Sequence, residues 1–176
     1  MERLLKIWVV VTSLVSSFPV CLMVQNSKKD YLEGHNAARA RVGSKPLVWD
    51  KKLESHARKF LKKHAKDCLK ESPYLHHNPK YAGTTSYSST KSFTGADAIA
   101  RWVKMKENYD YESNSCIDGN PNNCGPYLYM VWSTVTSLGC ARVECHNNKG
   151  TLVHCNYEPT PKIFVERPYP YPYTIH

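Results

Sequence analysis

The chain has 176 residues, a length that suits one domain with its own core and leaves little room for a second. Its net charge is +9 at pH 7, with 24 Lys and Arg against 15 Asp and Glu. This balance favours contact with anionic surfaces without specifying one. Because the basic residues are spread along the chain, we expect a solvated basic surface and no nucleic-acid partner.

Residues 1–24 are typical of a secretion signal. Two basic residues precede an apolar run that is interrupted by small polar residues and a proline. A membrane anchor usually needs about 20 mostly apolar residues, so removal of this segment on export is favoured over anchoring. We therefore expect an exported domain over residues 25–158 and a Pro- and Tyr-rich tail over residues 159–176.

Two helices are predicted in the first part of the exported chain. Lys29–Val42 has apolar residues at three- and four-residue spacing, and Gly43 ends the pattern. Asp50 predicts the N-cap of a second helix, whose basic face either contacts a membrane surface or simply faces water. His35 in the first helix invites a metal interpretation, but we expect a packed or capping side chain.

The middle of the chain alternates between polar and apolar segments. Residues 71–95 are polar and rich in turn formers, which predicts loops with little strand character. A third helix is predicted over residues 97–108.

The Pro- and Tyr-rich tail predicts an extended segment with few core residues. Aromatic and β-branched residues predict three strands, the last two joined as a hairpin: 127–135, 138–144 and 151–157.

Seven cysteines bear on the redox state of the chain. One of them, Cys21, lies in the expected leader, so six remain in the exported part. An even number of cysteines in an exported protein predicts three disulfides, with fifteen pairings possible. A zinc site is less favoured, because no Cys-x-x-Cys pair occurs.

Three segments of the chain carry a family resemblance: Gly34-His35-Asn36-Ala37-Ala38-Arg39, Cys124-Gly125-Pro126-Tyr127 and Cys155-Asn156-Tyr157. They resemble the plant pathogenesis-related protein 1 family, within the superfamily of cysteine-rich secretory proteins, antigen 5 and pathogenesis-related 1. The resemblance implies an α+β fold, a three-layer α-β-α sandwich with a mainly antiparallel central sheet. It also implies the disulfide pairs Cys68–Cys145, Cys116–Cys124 and Cys140–Cys155.

The resemblance also locates a polar cleft. In the relatives, two His and two Glu line this cleft and can bind a divalent metal. The corresponding positions here are His76, Gly83, Met105 and Pro126, so His76 is the one retained ligand. Gly and Met supply no carboxylate, and Pro supplies neither a ligand nor a backbone N–H. We therefore predict no metal site, no cofactor and no catalytic residues.

A binding function remains. The resemblance implies a monomeric, non-enzymatic plant defence protein of the apoplast that binds a sterol, another lipid, or a microbial or plant cell-surface partner. Trp102, Tyr109 and Tyr111 are candidate groove residues; alternatively, Trp102 is core and the two tyrosines cover a loop. Two other functions stay open: a precursor of a C-terminal signalling peptide cut near Glu158, and, more remotely, a metal-assisted hydrolase.

Overall fold

The computed structural model describes residues 26–66, 68 and 81–170, together with the backbone of residues 75–77. The expected leader therefore lies outside the described residues, as does the end of the tail. None of the described helices is long and apolar enough to cross a bilayer.

The described helices and strands alternate along the chain. The helices are α1 (Lys28–Ala40), α2 (Lys51–His64), α3 (Gly95–Lys104) and α4 (Pro121–Val131), and 3₁₀ segments cover Met105–Asn108 and His146–Asn148. The strands are β1 (Val48–Trp49), β2 (Leu75–His77), β3 (Ala82–Ser88), β4 (Tyr109–Asp110), β5 (Ser115–Cys116), β6 (Ser137–Glu144) and β7 (Thr151–Glu158).

Five of these strands form one sheet in the order β1-β6-β7-β3-β2, and β4 pairs separately with β5. Only the short β1 runs parallel to its neighbour β6 in this sheet; the other pairs are antiparallel. The predicted hairpin is confirmed, with Cys140 opposite Cys155 in its register.

The sheet is covered on both faces, which confirms the three-layer sandwich. On one face, Ala57 and Leu61 of α2 pack with Ala141 and Leu152 of the hairpin. On the other face, residues of α1, α3 and α4 form a larger core with alternate hairpin residues such as Tyr157. Because successive side chains of a strand point to opposite faces, each of the hairpin strands β6 and β7 contributes residues to both cores.

The helix starts follow local hydrogen bonding. The Asp50 carboxylate accepts bonds from the amides of Lys52 at 2.6 Å and Leu53 at 3.0 Å, so the predicted N-cap of α2 is confirmed. Thr94 caps α3 and exchanges bonds with Asp97 in a capping box. α3 therefore begins at Gly95, two residues before the predicted start, and its predicted end forms the first 3₁₀ segment.

Three disulfides crosslink these layers. Cys68–Cys145 ties the chain after α2 to the end of β6, Cys116–Cys124 ties β5 to α4, and Cys140–Cys155 joins the hairpin strands. These are the pairs that the resemblance implied. Each pair closes a loop and so restricts the unfolded chain, which stabilises the folded domain.

The predicted strand at residues 127–135 is wrong, because most of this segment is the helix α4. Asn120 caps the helix by accepting a bond from the amide of Asn122 at 3.1 Å, and Pro121 occupies the first helical position, which it favours. Every residue from Cys124 to Val131 is buried. The aromatic and β-branched residues therefore fill a core on all sides of a helix, and this burial outweighs their strand propensity.

The prediction of loops over residues 71–95 is wrong at Leu75–His77 and Ala82–Ser88, which are strands, whereas residues 89–94 form turns as expected. β3 lies inside the sheet between β2 and β7, and all five residues from Ala82 to Ser86 are buried. The segment has the polar composition of a loop, but its Thr and Ser side chains are buried between packed helices and strands. Composition alone does not reveal that environment.

The tail is less extended than predicted. The backbone amide of Ser133 donates to the carbonyl of Pro168 at 2.6 Å, and a turn is formed by bonds from the amides of Val165 and Glu166 to Lys162. Tyr169 is only 5% exposed and belongs to the larger core. The described part of the tail is therefore attached to the domain.

Arg39, which sequence reasoning did not single out, connects α1 to the end of α4. It is fully buried and donates to the carbonyls of Lys45, Met130, Trp132 and Val135 at 2.6 to 3.0 Å. Burial lowers the pKa of this guanidinium to about 10. The carbonyls of Met130 and Trp132 lie at the C-terminal end of α4, where the helix dipole favours a positive charge.

Candidate functional site

The four positions that the resemblance assigned to a polar cleft fall on β2, β3, the first 3₁₀ segment and α4. The backbone of His76 in β2 pairs with Gly83 in β3. Met105 begins the first 3₁₀ segment, and Pro126 is buried inside α4. α4 contacts this 3₁₀ segment as well as β2 and β3. The side chain of His76 lies outside the described residues, so the fit of a metal rests on the other three positions.

The space beside Gly83 is already filled. A Cβ atom at this position would lie 2.6 Å from Cε1 of His154 and 2.9 Å from Oδ1 of Asn156. Both distances are too short for a stable contact, so no side chain fits here without displacing His154. On the face of the sheet that α2 covers, an imidazole from the neighbouring strand therefore occupies the space beside Gly83.

His154 is held in a buried polar network. Its Nδ1 lies 2.8 Å from Oγ1 of Thr85, and its Nε2 lies 3.1 Å from Oδ1 of Asn156. Because an amide oxygen only accepts, Nε2 carries the proton of that bond. The Asn156 amide donates in turn to the carbonyl of Leu53 in α2 at 3.2 Å. These bonds join the sheet to α2.

The residues present do not fit a divalent metal. Gly83 and Met105 offer no carboxylate, and Pro126 offers no ligand atom in its side chain. Among the residues that the structure describes, no group of three His, Cys, Asp or Glu converges. Glu107, a conceivable substitute acid, is exposed at the end of the first 3₁₀ segment.

His35 is a packed side chain, as expected. It is fully buried, with Nδ1 2.7 Å from the carbonyl of Tyr31 and Nε2 3.0 Å from the hydroxyl of Tyr157. Nδ1 donates to the carbonyl, so Nε2 of the neutral ring accepts from the tyrosine. Burial lowers the pKa of His35 to about 4, which keeps the ring neutral at physiological pH.

The three candidate groove residues do not line an open groove together. Trp102 is fully buried, so the alternative that it belongs to the core is correct. The Tyr111 ring stacks on Tyr169 at 5.4 Å between centroids, and its hydroxyl donates to the Tyr169 carbonyl at 2.9 Å. Tyr109 meets Tyr111 edge to face. The two tyrosines therefore support the tail.

An open apolar groove lies elsewhere, between α1 and α3. It has a volume of about 260 Å³, and its walls are mostly small or aliphatic residues. The two helices approach closely because Gly34 has no side chain; a Cβ there would lie 2.8 Å from Cγ2 of Ile99. Asp30 and Arg41 are the charged residues at its edge. The groove residues are Asp30, Gly34, Ala37, Ala38, Arg41, Ala96, Ile99, Ala100 and Val103.

Sequence reasoning missed this groove, although a signal was present. Residues 96, 99, 100 and 103 follow the spacing of one helix face, and so do residues 34, 37, 38 and 41. These stripes consist largely of Ala and Gly, which count weakly as apolar residues. Two stripes of small residues leave a channel between the helices where larger side chains would have filled it.

Comparison with known proteins agrees with this fold. Residues 32–157 match the Cysteine-rich secretory protein family. The chain is 40% identical over 145 residues to Pathogenesis-related protein 1A of Nicotiana tabacum, covering 82% of each protein. It is 35% identical over 164 residues to Pathogenesis-related protein 1 of Arabidopsis thaliana, covering 93% of this chain and 96% of the relative.

Solved structures share the architecture at lower identity. Venom allergen-like protein 4 of Schistosoma mansoni is similar with a TM-score of 0.60 and 25% identity, covering 80% of this chain and 92% of the other. A structure of NaASP2 with Zn²⁺ is similar with a TM-score of 0.62 and 20% identity, covering 85% of this chain and 89% of the other. The second likeness concerns the fold alone.

Proposed function

Because the chain belongs to the cysteine-rich secretory protein family and is similar to its plant pathogenesis-related 1 members, we propose that it is a secreted, non-enzymatic defence protein that binds lipid. The ligand is a sterol or a single-chain lipid, and its apolar part lies in the groove between α1 and α3. The observation that carries this proposal is the groove itself, an open apolar channel between two helices.

The dimensions of the groove limit the ligand. Sites for drug-sized molecules usually enclose about 300 to 1,000 Å³, so a cavity of about 260 Å³ holds one acyl chain or one edge of a sterol. The polar end of the ligand lies at the rim, where Arg41 suits a carboxylate and Asp30 suits a hydroxyl group. A lipid with a narrow apolar part therefore fits better than one with two chains.

A non-enzymatic function fits the lack of ligand side chains at three of the cleft positions. The alternative of a metal-assisted hydrolase needs ligands at positions that hold Gly83, Met105 and Pro126. The His154 network fills the space beside the first of these, so a carboxylate has no room there. Secretion to the apoplast is supported by the leader-like residues 1–24 and by three disulfides, which persist in oxidising compartments.

A titration tests lipid binding in the groove. Protein purified from the medium of secreting cells is titrated with a fluorescent sterol and, separately, with a fluorescent fatty acid. Ala100 is exposed and lines the groove, so Ala100→Arg inserts a long charged side chain into it. We expect this variant to bind the preferred lipid about tenfold more weakly, since an unpaired charge disfavours apolar burial.

The matched control is Ala40→Arg, at an exposed position of α1 outside the groove. It adds the same charge and leaves binding unchanged in our proposal. If the wild-type protein binds neither probe, or if Ala100→Arg binds as tightly as Ala40→Arg, the groove is not the lipid site. Calorimetry with Zn²⁺ on the same protein tests the hydrolase alternative, and tight binding would support it.

The alternative of a peptide precursor gains one supporting observation. Glu158, Pro159 and Thr160 are exposed, so a protease can reach the junction between the domain and its tail. The tail beyond this junction is bound to the domain, however, and a cut alone would leave it attached. Cleavage followed by gel filtration tests this function: a tail that leaves the domain supports a released signal, and a retained tail opposes it.

A further inference from the structure

The exposed side of α2 carries an array of lysine side chains. Five lysines of α2 are exposed, and so is a sixth in the turn that follows the helix. Because each helical residue turns by about 100° and rises by about 1.5 Å, the five share roughly 120° of the circumference over about 18 Å. We call these six residues the α2 lysine array: Lys51, Lys52, Lys59, Lys62, Lys63 and Lys66.

Few acids oppose the α2 lysine array. No Asp or Glu occurs from residue 55 to residue 66, and residues 67–80 hold two acidic and two basic residues, which cancel. Within the ranges that the structure describes, none of the six lysines forms an ion pair. Glu54, the one acid of α2, pairs instead with Lys28 at 3.4 Å and with Arg58 at 3.0 Å.

The stability of the helix does not explain the array as a whole. Lys62 and Lys63 lie in the last turn of α2, where the helix dipole favours cations. Lys51 and Lys52 lie in the first turn, where the dipole disfavours them. Lys59 and Lys63 are four residues apart, and like charges at this spacing destabilise a helix. An anion bound along this face would relieve both unfavourable interactions.

The apolar side of α2 is already covered by the sheet. Leu53, Ala57 and Leu61 are at most 1% exposed. A helix that lies in a membrane surface needs its apolar side free to enter the bilayer. No Leu, Phe, Tyr or Trp of α2 is exposed. Contact through this helix is therefore electrostatic and stays at the protein surface.

Positive charge continues beyond the C-terminal end of α2. The amide of His146 donates to the carbonyl of Ala65 at 2.9 Å, which places the turn between β6 and β7 beside this end. Lys149 of the same turn is exposed. Glu144, just before the turn, pairs with Arg142 at 3.4 Å. A strip of cations this long suits an extended polyanion better than a single small ion.

We propose that the α2 lysine array binds a linear anionic polysaccharide whose repeating sugar carries a carboxylate. Such a polymer presents charges along its length, so several individually weak contacts form together. Lysine ammonium groups are flexible point donors, which suits the carboxylates and hydroxyl groups of a sugar chain. Nucleic acid fits less well, because the exposed side of α2 lacks the aromatic rings on which bases stack.

This inference takes only export from the proposed function and does not depend on lipid binding. α2 covers one face of the sheet, whereas α1 and α3 lie on the other face. The array and the groove are therefore separate surfaces. The protein binds the polymer through α2 and leaves the groove free for lipid.

Calorimetry of the secreted protein with polygalacturonate tests the proposal. The comparison polymer is the same polysaccharide with its carboxylates methyl-esterified, which keeps the sugar chain and removes the charge. We expect the wild-type protein to bind the charged polymer alone. The affinity falls as the salt concentration rises, because salt screens contacts between exposed charges.

Two triple variants with the same loss of charge locate the binding surface. The array variant combines three substitutions on α2: Lys59→Gln, Lys62→Gln and Lys63→Gln. The matched control replaces three exposed lysines outside α2: Lys45→Gln, Lys104→Gln and Lys106→Gln. We expect about a tenfold loss of affinity in the array variant and less than about a twofold loss in the control. Both keep a Tm close to that of the wild type, because all six positions are exposed.

The proposal is overturned if the wild-type protein does not bind polygalacturonate, or binds the esterified polymer equally well. Equal affinities of the two triple variants would also overturn it, because net charge and not the array would then decide binding. Phosphatidylserine vesicles and a single-stranded oligonucleotide are titrated in parallel, and tighter binding of either would replace the polysaccharide as the partner. The array variant binds the fluorescent lipid as the wild type does, so failure here is distinguishable from failure of the proposed function.

Discussion

The sheet face beneath α2 and the groove between α1 and α3 lie in one small domain but differ in how space is used. At the first, Gly83 leaves room that His154 fills, and hydrogen bonds join the imidazole to Thr85 and Asn156. At the second, Gly34 lets two helices approach, and their small residues leave an open channel. A glycine thus lies beside a filled space in one region and beside an open channel in the other.

The connections between the layers of the domain lie apart from the four cleft positions. The three disulfides and Arg39 connect all the layers, and none of them depends on the cleft residues. The groove uses helix surfaces that the cleft does not share, so it is unaffected by substitutions in the cleft.

The largest effect is expected when the acid of the relatives is restored on the closed side. Gly83→Glu forces a side chain into His154 and buries a carboxylate without a partner, which costs about 4 kcal/mol of unfolding free energy or more. Urea denaturation measures this cost, and calorimetry shows no gain of Zn²⁺ affinity. A stable Gly83→Glu protein that binds Zn²⁺ would show that the cleft is still open to a metal.

The clash itself is measured by a double-mutant cycle. Gly83→Ala, His154→Ala and the combination are compared by urea denaturation. We expect Gly83→Ala to cost less in the His154→Ala background, because the atom 2.6 Å away is then absent. Strictly additive costs would mean that His154 does not fill the site.

The next effect is a loss of stability in acid that depends on His35. The folded-state pKa of His35 is about 4, against 6.5 for the ordinary side chain, because the ring is buried. Between these values the unfolded chain binds a proton that the folded chain does not. The stability is therefore complete above pH 6.5 and falls by roughly 3 kcal/mol as the pH drops to 4.

His35→Gln reduces this dependence, and chemical denaturation at a series of pH values measures it. His146→Gln is the control, since His146 is exposed. Other groups titrate in the same range, so the quantity compared is the difference in slope between each variant and the wild type. Equal slopes for His35→Gln and the wild type would contradict a neutral, buried imidazole.

A smaller effect is expected where the tail covers the domain. Tyr169→Ala removes a buried ring that stacks on Tyr111, so we expect a loss of about 2 kcal/mol. Val165→Ala is the control, because Val165 is an apolar residue of the same tail and is 80% exposed. Thermal unfolding measures both variants, and equal Tm values would mean that the tail is not part of the folded domain.

The smallest effect is expected in the open groove. Ala100→Arg changes the free energy of unfolding by less than about 0.5 kcal/mol, because the position is exposed and not needed for packing. The same substitution weakens lipid binding, so function and stability separate here. A large loss of stability would mean that the groove is closed in solution.

Local signals in the sequence were sufficient for part of this structure. Asp50 as a helix cap, the apolar stripes of α1 and α2, and the turn before β7 each follow from a few neighbouring residues. The disulfide pairs came from the family resemblance, since spacing alone left fifteen possibilities open. The substituted cleft was also visible in the sequence, because single residues decide whether a ligand is present.

The errors arose where burial decides the conformation. Tyr127 and Val131 favour strands on their own, but they lie in a helix that is buried on every side. Thr84 and Thr85 suggested a loop, although they lie in the middle of the sheet. Arg39 was noted only within a segment that carries the family resemblance, and the fold alone reveals the four carbonyl groups to which it donates.

The central claim is that this domain binds lipid between α1 and α3 and holds no metal near His76 and Pro126. A crystal structure of the secreted protein grown with both Zn²⁺ and the lipid that binds best tests it most directly. We predict lipid density between α1 and α3 and no zinc near His76 and Pro126. Zinc coordinated by His76 and neighbouring acids, with the groove empty, would contradict the account.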